Sequence, residues 1–240
     1  MLGVIKFGLY IGGLGAISSV IGAFIGNIFN IKSKEMISFL YQITAGIMTG
    51  IVCFEMLPES FQMANVIYSV IGILIGISLI FFLDIIIQRN NKKKDINRII
   101  GLIVILSMAF HNIIEGLAIG SSFVYSFTLG TTVLIGMFLH DIPEGMIVGI
   151  TSKVEGKKLK TILLESIIVG ACSGFGTYIG NIIGKINEKY IAISLSISAG
   201  AMLYLVSCEL IPSSNEICKS KKIYITFIFG IIIGALISKI

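Results

Sequence analysis

The chain has 240 residues, of which 55% are hydrophobic and only 13% carry a charge. A water-soluble protein is usually about 25% charged, so this composition excludes an ordinary soluble domain and predicts a membrane protein. The net charge of +5 does not indicate a nucleic-acid partner, because the lysines and arginines lie in short loops between apolar runs.

Eight apolar runs are each long enough to cross a bilayer, which takes about 20 residues of helix. In chain order they cover residues 4–29, 36–58, 66–87, 99–121, 127–150, 162–184, 191–212 and 223–240. We therefore predict an all-α membrane protein with eight transmembrane helices. Residues 1–240 would form a single transmembrane domain surrounded by the lipid bilayer.

Basic residues are distributed unevenly between the loops. Of the 18 lysines and arginines, 14 follow spans 1, 3, 5 and 7, whereas the loops after spans 2 and 4 contain none. Short cytoplasmic loops are enriched in lysine and arginine. This bias predicts a multi-pass protein of the cell membrane whose odd-numbered loops are cytoplasmic and whose two termini are extracytoplasmic.

The chain contains an internal repeat, in which residues 19–60 match residues 173–214 at a constant offset of 154 positions. The matched pairs include Asn27 and Asn181, Met48 and Met202, Glu55 and Glu209, and Pro58 and Pro212. Spans 1–3 therefore recur as spans 6–8, around spans 4 and 5, in a 3+2+3 arrangement. Because the offset is an odd number of spans, the second copy is inverted, as in many secondary transporters.

Spans 4 and 5 contain both histidines of the chain, each within a similar hexad. Residues 111–116 read HNIIEG and residues 140–145 read HDIPEG. Residues four apart share a helix face, so each histidine is predicted to lie beside the glutamate of its own hexad. The candidate ligands from the two faces are His111, Asn112, Glu115, His140, Asp141 and Glu144.

The charge of this cluster indicates a metal ion. Ionisable groups within a membrane span are costly and are rarely without function. Spans 4 and 5 contain no lysine or arginine to neutralise three carboxylates, whereas a divalent cation would do so directly. Mixed nitrogen and oxygen ligands suit Zn²⁺, Fe²⁺ or Mn²⁺ better than Ca²⁺ or Mg²⁺.

The repeat supplies further candidate residues. Met48 and Glu55 are seven positions apart in span 2 and share a helix face, and Met202 and Glu209 correspond to them in span 7. Both glutamates lie about one turn from the end of their spans. We interpret Glu55, Glu209 and Met202 as residues of an access pathway or as accessory ligands.

The paired hexads resemble the signature of the ZIP family of metal transporters, whose fourth and fifth helices carry HNxxEG and HExPEG-like motifs. The eight spans, the outside termini and the 3+2+3 plan extend the resemblance over nearly the whole chain. It implies uptake of a divalent cation as substrate, with Zn²⁺ first and Fe²⁺, Mn²⁺ and Cd²⁺ as alternatives. It also implies that the chain is not an enzyme.

In that family the two helices hold a binuclear metal site. The main ligands implied here are His111, Glu115, His140 and Glu144, with both glutamates bridging. Asn112 and Asp141 would serve the second metal position, and the AGxM segment of span 2 would add Met48 as a ligand. Many members have a glutamate in the sixth helix where this chain has Thr177, which would weaken or remove the second position.

Two other functions remain open on the sequence. An intramembrane zinc hydrolase usually needs three protein ligands and a bound water, but the chain has no HExxH motif. A membrane scaffold that transports nothing, or a channel for another solute, would contain no metal. The oligomeric state is also open, with a homodimer as one alternative.

Overall fold

The structure is a computed structural model that describes residues 2–28, 33–89, 96–154 and 156–239. Every regular element within these ranges is a helix. The α-helices are α1 (Leu2–Ile28), α2 (Lys34–Ile51), α3 (Leu57–Met63), α4 (Val66–Arg89), α5 (Ile96–Tyr125), α6 (Phe127–Val154), α7 (Leu159–Gly184), α8 (Glu188–Tyr204), α9 (Ile211–Ile217) and α10 (Lys221–Ile237). Two π-helical segments, Val52–Met56 and Leu205–Leu210, join α2 to α3 and α8 to α9.

Six of the helical stretches in the described ranges are long and apolar enough to cross a membrane. They are Leu2–Ile28, Lys34–Met63, Val66–Ile86, Phe127–Ile150, Leu159–Gly184 and Glu188–Ile217. These stretches confirm the prediction of an all-α membrane protein. The other two predicted spans, 99–121 and 223–240, correspond to α5 and α10, which are not among the six. The plan of eight spans therefore stays a prediction.

The helices pack in two groups. In one group α7 contacts both α1 and α5 extensively, and α6 contacts the same two helices. In the other, α2 packs on α10 and α4 packs on α8, and contacts of α5 with α8 and of α2 with α6 join the groups. The helices α5 and α6, which carry the two hexads, therefore lie where the groups meet.

Glycines allow several of these helices to approach backbone to backbone. A Cβ atom at Gly116 would overlap the carbonyl oxygen of Ser173, and one at Gly176 would overlap that of Ile113, so no side chain separates α5 from α7. Gly22 and Gly145 meet in the same way where α1 crosses α6. Such close contact is how helices associate in lipid, where no hydrophobic effect drives them together.

Several local features recur at the sequence offset of 154 positions. Ser33 caps the start of α2 by accepting a hydrogen bond from Met36 N, and Asn187 caps α8 by accepting one from Lys189 N. The two π-helical segments end at Met56 and Leu210, which are also 154 positions apart.

Buried serine contacts recur in the same way. The Ser60 hydroxyl donates to Ala192 O at 3.0 Å, and the Ser214 hydroxyl donates to Ser38 O at 3.2 Å. Each member of one pair corresponds to a member of the other at the repeat offset. The repeated sequence thus has the same backbone irregularity and the same buried contacts in both copies.

Candidate metal centre

The six polar residues of the two hexads lie together in the interior. His111, Asn112 and Glu115 come from α5, and His140, Asp141 and Glu144 come from α6. None of the six is more than 6% exposed. The 3.6-residue period of each helix aligns the polar positions along one face, and contact between α5 and α6 turns those faces together.

Glu115 is the centre of this cluster. Its Oε1 atom lies 2.7 Å from His140 Nε2 and 3.0 Å from His111 Nε2, so one carboxylate oxygen contacts both imidazoles. The two imidazole centroids are 6.3 Å apart. His140 Nε2 also lies 3.8 Å from Asp141 Oδ1. The structure thus brings together histidines that are 29 positions apart in the sequence.

Two sets of three side chains lie close enough together that each could hold a metal ion. Ligand atoms of His111, His140 and Glu144 lie within 4.8 Å of one another, and so do those of Glu115, His140 and Asp141. His140 belongs to both sets, and because a neutral imidazole has one free lone pair, it could serve only one of the two cation positions at a time. Nitrogen and carboxylate oxygen together are the donors that Zn²⁺ and its neighbours among the divalent transition metals accept.

Several polar atoms of the cluster are buried without a hydrogen-bond partner among the described residues. They include His111 Nδ1, Asn112 Oδ1, Glu115 Oε2 and His140 Nδ1. A buried polar atom without a partner costs about 1–3 kcal/mol. Within the described ranges, the ion pairs of the cluster carboxylates are with histidine rather than with lysine or arginine. A bound cation would offset the charge of the carboxylates and could take some of these atoms as ligands.

Neighbouring helices hydrogen-bond to two of the candidate ligands. On α1, the buried Ser18 hydroxyl donates to Asp141 Oδ2 at 2.9 Å. On α7, Val169 O accepts a hydrogen bond of 2.9 Å from Asn112 Nδ2, which leaves Asn112 Oδ1 as the atom available to a cation. Ser18 is not among the residues predicted from the sequence, because a single serine in a glycine-rich span does not indicate which helix it faces.

Replacing Ser18 with alanine should weaken metal binding without unfolding the protein. Losing a hydrogen bond to a ligating carboxylate typically lowers metal affinity by about 10–100-fold. We expect a decrease of about tenfold in the Zn²⁺ affinity of the purified protein, measured by calorimetric titration. Ser78→Ala is the control, because Ser78 is on the exposed surface of α4 and, within the described ranges, its hydroxyl donates to Leu74 O of its own helix. Equal affinities for the two variants would show that Ser18 does not orient Asp141.

A cavity of about 130 Å³ adjoins one end of the cluster. His111 and Glu144 line it together with Tyr41, Glu209 and Ser213. Glu209 therefore lies beside the same cavity as His111 and Glu144, and its role in an access pathway or as an accessory ligand stays a prediction. Its repeat partner Glu55 is half-buried and does not line this cavity. Tyr41 and Ser213 carried no signal in the sequence, because their relation to the cluster depends on packing between distant helices.

A much smaller pocket, of about 10 Å³, adjoins Glu115 and His140. Met202 lines this pocket. Met48, which the family resemblance implied as a ligand, is fully buried in the main hydrophobic cluster and lines neither of these two cavities. Its role as a ligand stays a prediction. Thr177 is buried on α7, and its hydroxyl has no partner among the described residues.

The fold and the cluster define a multi-pass helical membrane protein with a buried set of histidine and carboxylate side chains that could hold a metal ion. The family model described as ZIP Zinc transporter matches residues 87–238, which include both hexads. The chain therefore belongs to the ZIP family, as the paired hexads predicted. Membership in a family of transporters also agrees with the prediction that the chain is not an enzyme.

A curated relative supports the same family. The chain is similar to the protein named Zinc transporter ZupT of Chlorobium luteolum (strain DSM 273 / BCRC 81028 / 2530), with 37% identity over 54 residues. The matched segment covers 22% of this chain and 20% of the length of that relative.

Proposed function

We propose that this protein transports divalent transition-metal cations across the cell membrane, with Zn²⁺ as its main substrate and uptake as its direction. The observation that carries this proposal is the cluster itself, in which two imidazoles and three carboxylates are buried between α5 and α6. Membership in the ZIP family supports transport as the use of that cluster.

The ligand types favour some cations over others. Imidazole nitrogen binds Zn²⁺, Fe²⁺ and Mn²⁺ but is a poor ligand for Ca²⁺ and Mg²⁺, which prefer oxygen. His140 belongs to both sets of ligands, so each candidate position includes at least one imidazole. We therefore expect Zn²⁺ to be transported most readily, with Fe²⁺, Mn²⁺ and Cd²⁺ as further substrates and with Ca²⁺ and Mg²⁺ excluded.

The larger cavity is the proposed exit to the cytoplasm. Tyr41 lies about two turns from Lys34 along α2, and Ser213 lies in α9 just before Lys219 and Lys221. Lysine-rich segments remain on the cytoplasmic side of a membrane. In this orientation both termini are extracytoplasmic, and the structure is a conformation in which His111 and Glu144 face the cytoplasmic route.

The repeat suggests how the opposite side would open. Inverted repeats allow a transporter to expose one central site alternately to each side, by movement of one helix group against the other. Here the eight-span 3+2+3 arrangement would place α5 and α6 between the two repeat copies. The two helix groups described above are the natural moving parts of such a cycle.

Uptake into proteoliposomes tests the proposal. Purified protein should accumulate Zn²⁺ faster than protein-free vesicles and faster than vesicles containing Glu144→Gln, which keeps the size of the side chain but removes a charge. We expect Glu144→Gln to lower uptake by at least about tenfold, because it removes one of the few ligands of a buried cation. A panel of Zn²⁺, Fe²⁺, Mn²⁺, Cd²⁺ and Mg²⁺ measures selectivity. Equal uptake by wild type and empty vesicles for every ion would refute the proposal.

A further inference from the structure

The two cavities beside the cluster are lined by corresponding positions of the two repeat copies. Leu205 and Leu210 line the large cavity, and Ile51 and Met56 line the small pocket. Each residue of the first pair follows its counterpart in the second by 154 positions, the offset of the repeat. The small pocket is therefore the repeat equivalent of the large cavity.

The cavities also lie at different levels of the cluster. His111 and Glu144 line the large cavity, whereas Glu115 and His140 line the small pocket. Along each helix these residues are four positions apart, or about 6 Å. The path through the cluster is thus wide at one end, at about 130 Å³, and almost closed at the other, at about 10 Å³.

The lining of the small pocket includes three methionines. Met56, Met137 and Met202 come from the first π-helical segment, α6 and α8, and all three line the small pocket. Each is at most 3% exposed. The repeat counterpart of Met56 on the open side is Leu210, which shows that an aliphatic side chain can occupy this position in the other copy.

Methionine has a chemical property that leucine lacks. Its thioether sulfur is soft and polarisable, and soft ligands favour thiophilic cations over Mn²⁺ and Mg²⁺. A transport pathway also needs ligands that bind a cation weakly enough to release it. An uncharged thioether meets this requirement better than a second set of carboxylates beside Glu115.

We propose that Met56, Met137 and Met202 form a methionine gate, which seals the cluster on the side away from Glu209 and binds thiophilic divalent cations as they pass. The gate rests on the proposed function, since it acts on the cation that the cluster binds. When the small pocket opens, the sulfur atoms become the first ligands next to Glu115 and His140. They thereby favour Cd²⁺ and Zn²⁺ over Mn²⁺.

Competition between Cd²⁺ and Mn²⁺ for uptake into proteoliposomes tests the gate. Leucine replaces methionine with nearly the same volume, so Met202→Leu and the triple variant Met56→Leu/Met137→Leu/Met202→Leu keep the seal but remove sulfur. We expect the ratio of Cd²⁺ to Mn²⁺ uptake to fall by about tenfold in the triple variant and by less in Met202→Leu. Met36→Leu is the matched control, because Met36 is 47% exposed at the start of α2 and should leave the ratio unchanged.

The possible outcomes separate the gate from the proposed function. Wild-type vesicles that take up neither ion would refute transport itself. Wild-type uptake of both ions with an unchanged ratio in the triple variant would overturn the gate alone. A ratio that falls in Met48→Leu but not in the triple variant would assign the soft ligand to Met48 and would also overturn the gate. If the triple variant does not elute as a folded protein in size-exclusion chromatography, the ratio measured for Met202→Leu decides the question.

Discussion

Exchanging Glu115 for glutamine should abolish metal uptake while leaving the protein folded. Glu115 Oε1 contacts both imidazoles, at 2.7 and 3.0 Å, and no other carboxylate of the cluster lies this close to both. The substitution keeps the shape of the side chain, removes its negative charge and places an amide beside two buried histidines. We expect the rate of Zn²⁺ uptake into proteoliposomes to fall by at least about 100-fold, since changes around metal ligands already cost 10–100-fold.

Glu165→Gln is the matched control for this prediction. Glu165 pairs with Lys157 at 3.0 Å near the surface, where such pairs contribute about 0–1 kcal/mol to stability. Uptake by Glu165→Gln should therefore match that of the wild type. Binding of Zn²⁺ to purified Glu115→Gln with wild-type affinity would contradict the central position assigned to Glu115.

Adding a single methyl group at Gly176 should destabilise the helix bundle. A Cβ atom there would overlap Ile113 O and approach Leu117 N to 2.9 Å, and both atoms belong to the rigid backbone of α5. The helices α5 and α7 would have to separate, at a cost of about 1–3 kcal/mol for overpacking. Because α5 carries His111 and Glu115, we expect lower thermal stability in detergent together with weaker Zn²⁺ binding.

Gly13→Ala provides the control for the same chemical change. Gly13 is on α1, and a Cβ atom there would meet no atom within 4 Å. Alanine is a better helix former than glycine by about 1 kcal/mol, so this variant should be as stable as the wild type or slightly more stable. If Gly176→Ala melted at the temperature of Gly13→Ala, the close contact between α5 and α7 would not limit stability.

Much of the candidate site could be predicted from the sequence because its signals are local. The hexads predicted all six buried polar residues, since residues four apart share a helix face whatever the helix packs against. The absence of lysine and arginine from spans 4 and 5 indicated a bound cation, because the charges within a short segment can be counted without knowing the fold. Apolar runs likewise predicted the helices. Within the described ranges, six stretches rather than eight are long and apolar enough to cross a membrane.

Contacts between helices could not be predicted in the same way. The repeat predicted the same role for Glu55 and Glu209. In the structure, Glu209 lines the large cavity and Glu55 does not. The family resemblance implied Met48 as a ligand, whereas the methionine of the repeat that lines the pocket beside Glu115 and His140 is Met202. Which of two equivalent repeat positions borders a cavity depends on how each helix packs against α5 and α6, and that packing joins segments far apart in the chain.

The sequence alone determined the class of protein, the run of helices and the ligand types of the candidate metal centre. These depend on hydrophobicity, helical periodicity and the cost of burying charge, which are properties of short segments. The tertiary structure decided that Ser18 hydrogen-bonds to Asp141, that Glu115 contacts both histidines and that three methionines line the small pocket. Those contacts connect helices distant in the chain, and they depend on how glycine-lined surfaces pack in lipid.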